Sequence, residues 1–224
     1  IPATPPQTNR VKGDDRKAAE WVLSVGGTVQ LWDIKASNGV KTIADLPKGE
    51  FHIRSIQLKG STTKLKPFSD SDFAILGGLE RLDAIDITGL EITPAALDVL
   101  TTCPKLRQIG SQYNKLGDEL WAHLANAHAL EMLFHGYDSL PVTGIGISKL
   151  KTANLSILSL ATAPIIDEAL PEIANFSKLL EINLERTKIT DTGIVALAEL
   201  QKLRNLSVRN TDVTAVGLTS LRNL

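Results

Sequence analysis

The sequence predicts a right-handed α/β solenoid, with parallel strands on a concave face, helices on a convex face, and a helix plus β-hairpin capping the N-terminal end. Three observations predict it. Apolar residues recur every 24 residues over about three-quarters of the chain, as from Leu179 to Leu203 and from Ile182 to Leu206. Within each period the spacing changes from that of a strand to that of a helix. The first quarter departs from the period and carries its own helix and turn signals.

The period is clearest at the C-terminal end, where Lys178 to Gln201 reads KLLEINLERTKITDTGIVALAELQ and the following segment reads KLRNLSVRNTDVTAVGLTSLRNL. Leu184 returns as Val208, Ile189 as Val213, Ile194 as Leu218, Leu197 as Leu221 and Leu200 as Leu224. Thr187, Thr190 and Gly193 return as Thr211, Thr214 and Gly217. The frame runs back through Leu155, Leu158, Leu160 and Ile165, through Leu106, Ile109, Leu116 and Trp121, and through Leu82, Ile85, Ile87 and Ile92. Each unit opens L-x-x-L-x-L. Its last two apolar residues, two apart, point to one side of an extended strand and into the solenoid, so the x residues point out. A helix N-cap follows the turn, as at Thr93 before Pro94, Thr190 and Thr214. Residues such as Ile194, Leu197 and Leu200 then form an inward stripe on a helix behind the strand. One unit cannot bury that stripe alone, so the units must stack. A period of this length headed by L-x-x-L-x-L is the leucine-rich-repeat signature. Residues 51–224 hold about seven such repeats.

The run Thr187 to Ile194, with Asn210 to Leu218 after it, resembles the T-x-I-T-D-x-G-L version of the repeat. That version is found in ribonuclease-inhibitor-like repeats, in the repeat regions of F-box proteins and in repeat proteins of planctomycete-type bacteria. The segment Asp15 to Gly27 is similar to a lead-in segment of those bacterial proteins, some of which carry catalytic domains elsewhere. The resemblance implies a fold and leaves function open between a protein-binding scaffold, a ubiquitin-ligase-type substrate adaptor or effector, and the regulatory part of an enzyme whose catalytic domain lies outside this chain.

Before the repeats, Ala18, Trp21, Val22 and Val25 share one helical face, begun near Asp14 and stopped at Gly26-Gly27. Thr28 to Ile34 and Val40 to Leu46 flank Asn38-Gly39, a pair favoured in tight hairpins, so two strands are expected. Residues 14–50 thus read as a cap, and the Pro-rich residues 1–13 as a linker to something longer. The first repeat strand is expected from Ile53 to Leu58, with a projecting loop at Gly60 to Lys66. Pro141, Gly144 and Gly146 predict a broken or short helix between Val142 and Leu150. At the C-terminal end Leu224 falls on a core position with no polar unit behind it, so a truncated array and end-to-end self-association through the last repeat are expected.

Composition narrows the function. With 43% hydrophobic and 22% charged residues among 224, the chain can bury a sizeable core. Its 24 basic and 25 acidic residues give a net charge of −1, which offers no argument for nucleic acid. One cysteine excludes an internal disulfide and any multi-Cys metal site, and no apolar run reaches the roughly 18 residues of a membrane span.

Candidates for chemistry have plainer readings. Cys103 with His123 or His128 could form a nucleophile and base, but Cys103 falls on the core position of Leu200, so a buried thiol is expected. His135 replaces an inward leucine and reads as a satisfied core imidazole. Gly144-Ile145-Gly146 lacks phosphate-loop spacing, and Arg54, Lys59, Lys64 and Lys66 read as a solvated loop. No catalytic residue, cofactor or metal is expected. The outward strand positions carry the functional expectation. Met132, Phe134 and Ile157 form an apolar centre with Tyr113 and Tyr137 at the rim, in a chain only 4% aromatic. Glu181 and Glu185 flank it, with Arg209 one unit further on. A protein partner is expected there.

Overall fold

The computed structural model describes residues 12–34, 39–59, 65–137, 141–150, 152 and 154–222. It is a leucine-rich-repeat solenoid. One sheet holds β1 (Thr28–Leu31), β2 (Ile53–Gln57), β3 (Ala84–Asp86), β4 (Gln108–Gly110), β5 (Met132–Phe134), β6 (Ile157–Ser159), β7 (Glu181–Asn183) and β8 (Asn205–Ser207), stacked in sequence order. From β2 onward all pairings are parallel, with Ala84 beside Gln108, Gln108 beside Met132, Met132 beside Ile157, Ile157 beside Glu181 and Glu181 beside Asn205. Sequence period and strand register are therefore one quantity. The step from Ser55 to Ala84 is longer than the others, and Gly60 to Lys64 of the projecting loop expected within it lie outside the described residues.

Behind the strands the backbone is tighter than a run of α-helices. Pro94–Thr102 is a 3₁₀ helix, and the unit of β7 continues from one α-turn at Asp191–Ile194 into 3₁₀ geometry at Val195–Glu199. The helices expected behind the strands are present as short α and 3₁₀ turns. Inward residues three apart, such as Ile194, Leu197 and Leu200, fall on one line when the turn holds three residues, and all three are fully buried. In the irregular unit a single 3₁₀ turn spans Ile147–Lys149.

The T-x-I-T-D-x-G letters each have a mechanical role. The first threonine closes the turn after the strand: Thr187 Oγ1 donates to Leu184 O at 2.7 Å, and Thr211 Oγ1 to Val208 O at 2.7 Å. The second caps its own helical turn, since Thr190 Oγ1 accepts from Thr192 N and Thr214 Oγ1 from Val216 N, both at 3.1 Å. The aspartate reaches into the next unit. Asp167 accepts from Thr190 N and Oγ1 at 2.7 and 2.6 Å, and Asp191 accepts likewise from Thr214 at 2.7 Å for both. Asp70 with Thr93 and Asp118 with Thr143 make the same clamp. Where the preceding unit has Pro94 or Gly144 in place of the aspartate, the capping position holds Gly117 or Ile166 in place of threonine. The glycine makes room, because a Cβ on Gly193 or Gly217 would overlap the carboxylate of Asp167 or Asp191.

The donated hydrogen bonds from Thr214, side chain first and then backbone, hold Asp191 below the ordinary aspartate value of 3.8. Because the folded value is depressed, this stabilisation is present above about pH 3.8 and is lost as pH falls through the folded value. We therefore expect the Thr214 amide signal to move in NMR with an acid midpoint below 3.8, and the step to vanish in Asp191→Asn. A midpoint at or above 3.8 would contradict the clamp.

At the N-terminal end α1 (Asp15–Ser24) starts on Asp14, whose side chain accepts from Lys17 N, and ends where Gly27 N donates to Val22 O at 2.8 Å. Its Ala18, Ala19 and Val22 are fully buried, while Trp21 meets Phe68 and Phe73 edge-on. The expected hairpin is not formed as two strands. β1 pairs antiparallel with β2, and Val40 contributes a single bridge to Val29. The segment to Leu46 cannot extend because Thr42 Oγ1 donates to Asp45 Oδ2 and closes a 3₁₀ turn at Ile43–Asp45. Asn38 of the expected turn lies outside the described residues.

Candidate functional site

In a parallel solenoid, outward residues with one register form rows across the strands. The first row runs Gln108, Met132, Ile157, Glu181, Asn205, and the second Gly110, Phe134, Ser159, Asn183, Ser207. Met132, Phe134 and Ile157 thus come together, each half-buried. The small residues Gly110 and Ser159 on either side leave Phe134 without tall neighbours in its row. Glu181 lies directly beside Ile157. Glu185, further along the same coil, has its carboxylate 3.8 Å from Arg186 Nε, and exposed Arg209 occupies the matching position one coil on. At the other end of the face Lys59 pairs with the outward Asp86 at 2.9 Å, so it does not belong to a purely solvated loop.

Just past the strands a column of residues turns left-handed: Gly89 at φ 73°, Tyr113 at 56°, Tyr137 at 61°, Thr162 at 64°, Arg186 at 57° and Asn210 at 56°. Here the chain leaves the strand and its amide turns toward the next coil, as Tyr113 N donates to Gly136 O at 3.0 Å and Thr162 N to Glu185 O at 2.7 Å. Such a backbone costs a non-glycine residue roughly 1–2 kcal/mol. The coil spacing of about 4.8 Å matches the separation of stacked rings. Tyr113 and Tyr137 accordingly stack with centroids 4.7 Å apart and an interplanar angle of 23°, and they remain 53% and 39% exposed. Sequence reasoning placed both tyrosines at the rim and missed the column; the available signal was Gly89 and Asn210, residue types that tolerate this conformation.

Beneath the patch His135 takes the inward position expected for it and is fully buried. Its Nδ1 lies 3.0 Å from Ser111 Oγ and its ring meets Trp121 edge-on at 6.0 Å. Buried Asn114 knits the same coils, accepting from Leu90 N at 2.7 Å and donating to Ser111 O at 2.8 Å. The support under β4 and β5 is therefore polar as well as apolar.

Cys103 is buried, its thiol donates to Leu76 O at 3.2 Å, and burial pushes its pKa up. A nucleophile needs the opposite shift. His123 is engaged by Asp98 at 2.9 Å, and His128 lines a hollow of about 520 Å³ next to Cys103.

No protein-family model matches this sequence, and no curated protein matches it. Its fold is similar to that of an internalin (inlF) from Listeria monocytogenes, with a TM-score of 0.52 at 19% sequence identity. That match covers 67% of this chain and 48% of the other, so this chain spans about half of that protein's length. An internalin C2 (inlC2) from the same species matches with a TM-score of 0.47 at 20% identity, over 74% of this chain and 85% of that one.

Proposed function

We propose that this chain is a protein-interaction module whose partner docks on the strand face over Met132, Phe134 and Ile157. The stacked Tyr113 and Tyr137 form the rim, and Glu181, Glu185 and Arg209 the charged flank. One observation carries the reading: in a chain only 4% aromatic, a tyrosine stack held on costly backbone borders an outward apolar cluster. Aromatic anchors surrounded by polar groups are where interfaces concentrate their binding energy. The glutamates select a partner with Lys or Arg beside its apolar anchor. Binding is favoured over catalysis because the acidic pair on this face has no neighbouring base or nucleophile in its rows, and Cys103 is tuned away from reactivity. The module acts within a larger protein, as a scaffold or substrate adaptor or beside a catalytic domain, with residues 14–50 capping the repeats of 51–224. The T-x-I-T-D-x-G-L letters favour the ribonuclease-inhibitor-like class of repeat.

With a partner captured on the wild-type chain, Phe134→Asp should weaken its affinity by about 1–3 kcal/mol in calorimetry with the fold intact. Exposed Glu199→Ala, on the helical side, should leave it unchanged. Equal loss for both, or none for Phe134→Asp, removes the strand face as the site.

A further inference from the structure

Sequence spacing grouped Arg54 with the lysines of the projecting loop, but the fold turns it elsewhere. Trp32, just past β1, is pinned at two points: its amide donates to His52 O at 3.1 Å and its indole Nε1 donates to Arg81 O at 2.9 Å. The ring still stands 42% exposed. The guanidinium carbons of Arg54 and Arg81 lie 5.1 and 5.9 Å from its centroid. Two like charges are thus gathered on one neutral ring. Among the described residues neither guanidinium has a carboxylate partner. The acids nearby are engaged by another cation, since Arg107 Nε bonds Asp83 at 2.6 Å and its Nη1 reaches Glu131 at 3.5 Å. A guanidinium lying over a ring spends its π face and leaves its edge N–H donors for a planar or tetrahedral acceptor. A hollow of about 390 Å³ opens beside Trp32 and Arg81 and is also lined by Lys105 and by Arg107 with the Asp83 and Glu131 that it engages, while Arg54 approaches from the far side of the lining, over the Trp32 ring.

We propose that Arg54 and Arg81, held by Trp32 and joined by Lys105 at the rim, bind a phosphate-type dianion. Two forked donors and an ammonium match the charge and several oxygens of a tetrahedral dianion; a single carboxylate would satisfy one fork. Glu80, which lines a neighbouring hollow with Arg81, and exposed Asp33 weaken the field, so affinity is on the order of millimolar for the free ion.

The test is a titration of the whole chain with inorganic phosphate at pH 7.5 and fixed ionic strength, following the indole N–H of Trp32 by NMR, with its signal assigned by Trp32→Phe. The expected result is a saturable shift, stronger for phosphate than for acetate, and weakened about fivefold by Arg54→Gln and by Arg81→Gln. Both arginines are exposed, so these variants keep the fold. A phosphoserine peptide that binds more tightly than the free ion places the group on a partner chain, and equal affinity points to a free anion; the site stands either way. A non-saturating shift, an equal response to acetate, or indifference to both substitutions overturns it.

Discussion

Gly136→Ala should cost about 3 kcal/mol or more, the largest loss expected from any single methyl group in this chain. Gly136 sits at φ 133°, a backbone conformation that residues with a side chain rarely adopt, and an added Cβ would overlap the carbonyl oxygen of Ala161 on the next coil. The overlapping atom belongs to the backbone, so no rotamer change relieves it. Tyr113 N donates to Gly136 O, which ties this residue to the coil before as well as the coil after. Urea unfolding of the wild-type and variant chains measures the loss. A change under about 1 kcal/mol would show that β5 and β6 do not leave the sheet as described. Because Gly136 lies between Phe134 and Tyr137, the same variant should also weaken partner binding.

Gly193→Ala should cost about 1–3 kcal/mol for a different reason, since its Cβ would strike the carboxylate of Asp167 first and the Asp167 Cα behind it. Asp167→Ala alone should cost about 1–2 kcal/mol through the two bonds it accepts from Thr190. Removing the carboxylate removes the nearest part of the obstacle and leaves only the Cα of residue 167 close to the new methyl. The double variant should therefore lose clearly less than the sum of the singles in urea unfolding, and simple additivity would contradict the clamp.

Much of this architecture was legible because in a solenoid one period fixes strand pairing, lateral neighbours and inward or outward direction together. Leu206 falls beside Ile182 in sequence and in space. The meeting of Met132 with Ile157 followed from the same arithmetic. What the period does not govern was not legible. The partner of β1 is chosen across a gap from Thr28 to Gln57, and a local capping turn at Thr42 outcompeted the strand expected there. The 3₁₀ turns were written in the spacing of Ile194, Leu197 and Leu200, but that spacing also suits a helix face over two turns. The ring stack of Tyr113 on Tyr137 and the gathering of Arg54 and Arg81 at Trp32 depend on side-chain directions that no repeat letter encodes.

Hydroxyl-radical footprinting of the chain with and without its captured partner tests the docking surface most directly, because it reads side chains one by one. Binding on the strand face predicts that Tyr113, Met132, Phe134 and Tyr137 lose reactivity in the complex while exposed Val195 on the helical side keeps its own. Protection of Val195 with the tyrosines still fully reactive would contradict the account.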